Sequence, residues 1–248
     1  MSISCADRGC GSAITLGRSS RRRAITAIIR KDGARGATAL ILGGIHGNEP
    51  KSVYVCRKLI DLLQADLGVG AGVTWVIVPL VNPDGFEVRR RKNARGVDIN
   101  RNFPTTNWNA AELPHSQTYR ATPLDPPAAG RARRSRMYGG PRPGSEPETM
   151  AVIRAVERFE PAWIVTVHSI DRGRFCNNYD GPGRGLAMKM RRHNQYPVRG
   201  SIGYPTPGSF GTWAGAERGL PTITLELPSH HSAKRCWEDN RRALLCVP

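Results

Sequence analysis

The run Ala39-Leu40-Ile41-Leu42, stopped at once by Gly43-Gly44, constrains this 248-residue chain more than any other stretch. A short apolar run bounded by glycines reads as a buried strand that ends abruptly. The next residues then fall on a loop at the sheet's carboxyl edge, where open α/β sheets place their ligands. That loop is Ile45-His46-Gly47-Asn48-Glu49. A histidine and a glutamate three residues apart can turn an imidazole and a carboxylate toward one point, and zinc accepts both. The pair also reads as a loop histidine beside a helix N-cap glutamate, because short motifs recur by accident.

Strand and helix patterns alternate along the rest of the chain. Isoleucine-rich residues 24–30 form a strand, and Lys31-Asp32-Gly33 a turn. After Pro50, the apolar residues Val53, Cys56, Leu59, Ile60 and Leu63 recur at helical spacing, predicting a helix to about Ala65. A buried strand over 73–79 ends at the turn signal Asn82-Pro83-Asp84-Gly85. Residues 105–144 are rich in Pro, Gly and Arg and read as a long surface loop. Ser145-Glu146-Pro147-Glu148 has the form of a capping box, with Ser145 at the N-cap of a helix over 146–159. A strand over 162–167 ends at His168, and a helix is expected over 183–194. A Pro/Gly-rich loop over 204–213 precedes a strand over 222–227 and a closing helix over 231–245. This order, without internal repeats, predicts one α/β domain over 1–248, with a mixed, mostly parallel sheet and helices on both faces.

Chemistry gathers at the strand ends: His46 and Glu49 after one, His168 after another, Glu226 inside the last. Two histidines and a glutamate are a ligand set for catalytic zinc, leaving a position for water. Glu226 is then available for proton transfer. A carboxylate in an apolar strand is otherwise costly to bury, although an edge strand could turn it to solvent. Arg91 and Arg101 flank Gly96-Val97-Asp98-Ile99-Asn100. Arginine grips a carboxylate through two parallel hydrogen bonds, and Asn100 adds an amide donor. A further arginine would stabilise an oxyanion.

The balance of 37 basic against 20 acidic residues gives +17, most of it from arginine. Such charge suits nucleic acid or an acidic substrate. The runs Arg21-Arg22-Arg23 and 131–136 lack interleaved aromatics, so they read as solvated loops and no nucleic-acid partner is expected. No apolar run reaches the ~18 residues of a membrane span. The six cysteines, Cys5, Cys10, Cys56, Cys176, Cys236 and Cys246, form no Cys-x-x-Cys pair. With no secretory leader in residues 1–23, reduced thiols and a cytoplasmic setting are expected. His115, His193, His230 and His231 read as surface residues.

The motifs HGNE, NPDG, GVDINRNFP, SEPET, the isolated HS after a strand and TITLELP stand in the order found in the M14 zinc carboxypeptidase family, which the chain resembles from about Leu16 to Pro228. Residues 201–228 and Asp180-Gly181-Pro182 more narrowly resemble its murein peptide amidase subgroup. The resemblance implies one zinc ion per chain on His46, Glu49 and His168, with Glu226 as general base and acid. It implies Arg91 at the oxyanion, with Arg89, Arg90 and Arg95 as competitors for that role. It implies Asn100 and Arg101 as the carboxylate anchor and Tyr204 as a capping tyrosine. The implied substrate is a small murein peptide, cut between γ-D-glutamate and meso-diaminopimelate. The family pattern departs at Asn48, where digestive members carry arginine, and over 115–144. Two rival readings remain. One is a zinc acyl-amino-acid hydrolase of the aspartoacylase or succinylglutamate desuccinylase kind, disfavoured by GVDINRNFP. The other is a basic binding module on a dead hydrolase scaffold, disfavoured by the intact ligand set.

Overall fold

The computed structural model describes residues 11–31, 36–66, 68–110, 113–114, 136–170 and 174–246. Eight strands form one twisted sheet: β1 (Ser12–Arg18), β2 (Ala24–Arg30), β3 (Ala37–Leu42), β4 (Val73–Val78), β7 (Trp163–Ile170), β8 (Cys176–Asp180), β9 (Val198–Arg199) and β10 (Thr222–Pro228). Their spatial order is β1-β2-β4-β3-β7-β10-β8-β9. The centre, β4-β3-β7-β10, is parallel, while β1, β2 and β8 enter antiparallel. A separate two-stranded ribbon pairs β5 (Leu113–Pro114) with β6 (Arg136–Met137). Most of the intervening loop, including 131–135 and His115, lies outside the described residues, as do Cys5 and Cys10.

The central strands are apolar on both faces because helices cover both, as parallel sheets require. On one face α1 (Pro50–Ala65), α4 (Arg184–Asn194) and α5 (Ala233–Leu245) pack Leu59, Met190 and Leu244 against Ile41, Val165 and Leu225. On the other, α3 (Pro147–Phe159) packs Val152 and Ala155 beside Leu40, Val76 and Ile164. A π-helical turn (Gly211–Ala216) places Trp213 on that face, against Phe103 and Phe210. α1 spans the predicted residues, started by Pro50 in its first turn.

Several local expectations are corrected. The α3 N-cap is Glu146, not Ser145, and no side chain caps it. The Ser145 hydroxyl donates to the Glu146 carboxylate at 2.8 Å. Glu146 and Glu148 instead turn inward and accept from Asn93 Nδ2 at 2.7 and 3.1 Å. The capping carboxylate is thus taken by a tertiary contact. Strand β7 continues to Ile170, so His168 lies within the strand rather than after it. The signal at 82–85 opens the short helix α2 (Pro83–Glu87), capped by Asn82, whose Oδ1 accepts from Gly85 N at 2.9 Å. The loop over 204–213 runs into the π-helical turn, and α5 starts at Ala233 behind its N-cap Ser232, whose hydroxyl oxygen accepts from Arg235 N. In the run Arg21-Arg22-Arg23, Arg21 and Arg22 are exposed, but Arg23 pairs with buried Asp84 at 2.8 Å and fixes α2 to the β1–β2 turn. Cys56, Cys176, Cys236 and Cys246 are free thiols. Among the described residues, no helix is long and apolar enough to cross a membrane.

Candidate active site

Three adjacent parallel strands, β3, β7 and β10, deliver the site from their carboxyl ends. The loop after β3 carries His46 and Glu49. Gly44 takes a left-handed φ of +61°, which glycine adopts without strain. Gly47 lies so close to the α2 loop that a Cβ there would come 2.1 Å from Gly85 C. Asn82 Nδ2 donates to the carbonyls of Ile45 (3.4 Å) and Arg91 (3.3 Å), coupling the two loops. His168 on β7 is in direct register with Glu226 on β10. β10 lies between β7 and β8, which removes the edge-strand reading of Glu226; it is 6% exposed.

His46, Glu49 and His168 are all buried, and their donor atoms lie within 4.8 Å of one another. Among the described residues they are the one group with metal-ligand geometry. His46 Nδ1 approaches Glu49 Oε1 at 2.7 Å and His168 Nδ1 at 3.1 Å; His168 Nδ1 lies 3.1 Å from Glu49 Oε2. Two imidazole nitrogens and a carboxylate converging in a buried space are the donors a divalent cation accepts, and His46 Nε2 is turned away toward Asp98 Oδ1 at 3.2 Å. The residues present therefore fit zinc. Burial pushes the Glu49 carboxyl up, but His46 and His168 outweigh it and hold the group ionised, below its ordinary range. Ser169 N also donates to Glu49 Oε2, at 3.1 Å.

Asp98 is the residue that sequence reasoning missed. It is fully buried and serves three partners: it accepts from Asn100 N at 3.1 Å, faces His46 Nε2, and accepts from Arg91 Nε at 2.8 Å. Burial opposes its charge, but Arg91 and His46 prevail and hold its pKa well below the ordinary value. An aspartate inside GVDINRNF, between two arginines, was the available signal.

Arg91 is half-buried, with Nη1 3.6 Å from Glu49 Oε1, whereas Arg89, Arg90 and Arg95 are exposed. Burial would lower the Arg91 pKa; Asp98 and Glu49 reverse this and raise it. Asn100 and buried Arg101 lie on the short 3-10 turn Ile99–Arg101. Asn100 Oδ1 accepts from Phe210 N at 2.9 Å, leaving its amide hydrogens for another acceptor. Arg101 Nε is buried without a partner, and the guanidinium donates to the Tyr204 phenol. Glu226 is pushed up to about 7 by burial, with His168 opposing and Glu49 adding to the rise. The structure thus brings all eight residues singled out from sequence into one neighbourhood. His193 and His230 are exposed and outside it, and His231 pairs with Asp239 at 3.3 Å.

Comparison with known proteins agrees with this geometry. The family description "Zinc carboxypeptidase" matches residues 10–180. The chain is 37% identical over 191 residues to murein peptide amidase A of Escherichia coli strain K12, covering 77% of this chain and 71% of that protein. It is 33% identical over 190 residues to the Vibrio campbellii protein of the same name, covering 76% and 68%. The crystal structure of murein-tripeptide amidase MpaA from Escherichia coli O157 superposes with a TM-score of 0.72 at 30% identity, covering 98% of this chain and 94% of that one. Bovine thrombin-activatable fibrinolysis inhibitor shares the fold at 20% identity and a TM-score of 0.74, covering 96% and 88%. A sheet whose carboxyl edge assembles two histidines and two glutamates in this order, with those relatives, leaves one placement: the chain belongs to the zinc carboxypeptidase family.

Proposed function

We propose that the protein is a zinc-dependent amidase that hydrolyses the bond between γ-D-glutamate and meso-diaminopimelate in murein peptides. The observation that carries the hydrolytic reading is Glu226, a buried carboxylate held in register beside His168 and facing the His46–Glu49–His168 group. The substrate comes from the murein peptide amidases to which the chain is similar. His46, Glu49 and His168 would hold the zinc. Zinc supplies Lewis acidity, making a water acidic near neutrality and polarising a carbonyl oxygen.

The protein's own residues do the rest. Glu226 takes the proton of the attacking water and returns it to the leaving amine, a double role that its buried position beside His168 suits. Arg91, fixed by Asp98, faces the carbonyl oxygen as negative charge develops. Asn100 and Arg101 hold the free carboxylate of the departing residue, Arg101 exchanging its Tyr204 contact for it. Tyr204 then closes over the substrate. Asp98 orients His46 and keeps it in the tautomer that leaves Nδ1 unprotonated. The free thiols fit a reducing, cytoplasmic setting, where the substrates would be recycled wall peptides.

Glu226→Gln tests the reading. The variant should bind zinc as the parent does and lose roughly 10²- to 10⁴-fold in kcat. Full activity in a zinc-replete Glu226→Gln protein would overturn it.

A further inference from the structure

Arg91 and Asp98 lie seven residues apart, and their side chains meet, Arg91 Nε donating to Asp98 Oδ2 at 2.8 Å. The chain between them doubles back. Gly96 makes the reversal at a left-handed φ of +76°. Asn93 closes it: Asn93 N donates to the Val97 carbonyl at 2.9 Å, and Gly96 N to the Asn93 carbonyl at 3.1 Å. The Asn93 side chain closes the same turn from inside, its Oδ1 accepting from Arg95 N and Val97 N, both at 3.0 Å. An asparagine bonded to the backbone two residues on is a common turn device. Ala94 and Arg95 at the tip are exposed, so the turn is not held by packing there.

The other end of the same amide does something a turn does not need. Asn93 Nδ2 donates to two carboxylates, Glu146 Oε2 at 2.7 Å and Glu148 Oε2 at 3.1 Å. All three residues are buried. The second oxygens of the two carboxylates accept from neutral donors, Ser145 Oγ on Glu146 at 2.8 Å and Ser20 N on Glu148 at 3.0 Å. Carboxylates buried side by side repel, and the Asn93 amide stands between them. With its oxygen on two N–H groups and its nitrogen on two carboxylates, the amide fits in one orientation only. Hydrogen bonds to ionised acceptors are roughly twice as strong as neutral ones. Glu146 and Glu148 stand at the start of α3, whose Val152 and Ala155 pack on the sheet. The turn is therefore tied to the core by residues 53 and 55 positions away.

We propose that Asn93 is a positioning residue for the hydrolysis: locked on Glu146 and Glu148, it fixes the turn that brings Arg91 against Asp98 and so aims the guanidinium at the site. The ends of the turn are held elsewhere. The Arg91 carbonyl accepts from Gly47 N and Asn82 Nδ2, and Asp98 N donates to the Tyr138 carbonyl. Those contacts fix where the two residues start, and the shape of the turn between them sets where their side chains meet. The inference rests on the hydrolase reading above, in which Arg91 faces the carbonyl oxygen, and adds the residue that keeps Arg91 there. It also gives the glutamates of the SEPET motif a use in place of the helix cap they do not make: they anchor the oxyanion arginine through one amide. A misplacement of about 1 Å, made away from the chemistry, can cost about 10²-fold in rate.

The test is a double-mutant cycle on zinc-loaded protein, with L-alanyl-γ-D-glutamyl-meso-diaminopimelate as substrate. Asn93→Ala should lower kcat roughly 10- to 100-fold. KM should stay within about twofold, because Asn100 and Arg101 still hold the substrate. In an Arg91→Ala background the same substitution should cost no further activity, since the group it positions is gone. A residue that only supports the fold would lower stability and leave kcat alone, or lower kcat equally in both backgrounds, and either result overturns the proposal. Where Asn93→Ala does not fold, Glu146→Ala takes its place: it removes a buried charge instead of stranding one, and Asn93 keeps Glu148. A smaller loss in kcat, again silent without Arg91, is expected; no loss, or one that persists without Arg91, overturns the proposal. If the parent protein cleaves nothing, the hydrolase reading fails by itself, and the Arg91 Nε–H resonance, assigned by its absence in Arg91→Ala, decides the inference. Exchange with water should be slow in the parent and clearly faster in the Asn93 or Glu146 variant; equal protection overturns it.

Discussion

Glu226 sits where a carboxylate is expensive to keep. Its pKa of about 7 in the fold stands above the ordinary 4.5, so between these values the native chain binds the proton more tightly than the unfolded chain. Stability of the metal-free protein therefore falls as pH rises through that window and stays low above it. The loss is about 3 kcal/mol at pH 8, at about 1.4 kcal/mol per pH unit. Metal-free Glu226→Gln should recover much of that at pH 8 and none of it at pH 4, read by thermal melts at the two pH values. Melting points that differ from the parent equally at both would contradict it. Asp98 tests the site's other support. Asp98→Asn weakens the hold on both His46 and Arg91, and zinc affinity should fall roughly 10- to 100-fold in competition with a chelator. Unchanged affinity would remove Asp98 from the site. His46, Glu49, His168 and Glu226 could be read from sequence because each interrupts or ends an apolar strand. Asp98 could not: an aspartate in a turn looks like a local cap, and its partners His46 and Arg91 lie 52 and 7 residues away.

At the scale of elements, strands carrying apolar runs and the helix α1 were legible, because burial on both faces writes a continuous apolar signal. β8 was not. Its sequence, Cys-Asn-Asn-Tyr-Asp, holds no apolar run, and it is a strand because β10 offers it backbone partners over five registered pairs. β1 was missed for a related reason: it is an outer strand with mostly exposed or half-buried residues. The Ser145 cap failed because a capping motif competes with tertiary partners, and Asn93 won both glutamates. The loop after β3 is the element on which the site depends most. Gly47→Ala would drive a Cβ into the α2 loop, where backbone rather than a flexible side chain stands in the way. We expect a loss of about 1–3 kcal/mol, with a weaker hold on zinc as His46 and Glu49 shift apart. A Gly47→Ala protein that melts and binds zinc like the parent would show that the two loops are not rigidly coupled.

Across the whole molecule, the alternation of strands and helices pointed to the α/β class, but not to the order β1-β2-β4-β3-β7-β10-β8-β9. That order arises from long-range pairing, and it alone makes the ends of β3, β7 and β10 neighbours. The charge of +17 gives a positive field, which favours approach of a peptide carrying several carboxylates. A zinc-dependent amidase of this kind releases diaminopimelate only while its metal is bound. The direct measurement is release from L-alanyl-γ-D-glutamyl-meso-diaminopimelate by the same preparation before chelation, after it, and after zinc is restored. Chelation should abolish release, and about one equivalent of zinc per chain should restore it. Release indifferent to chelation, or none from fully zinc-loaded protein, would contradict it.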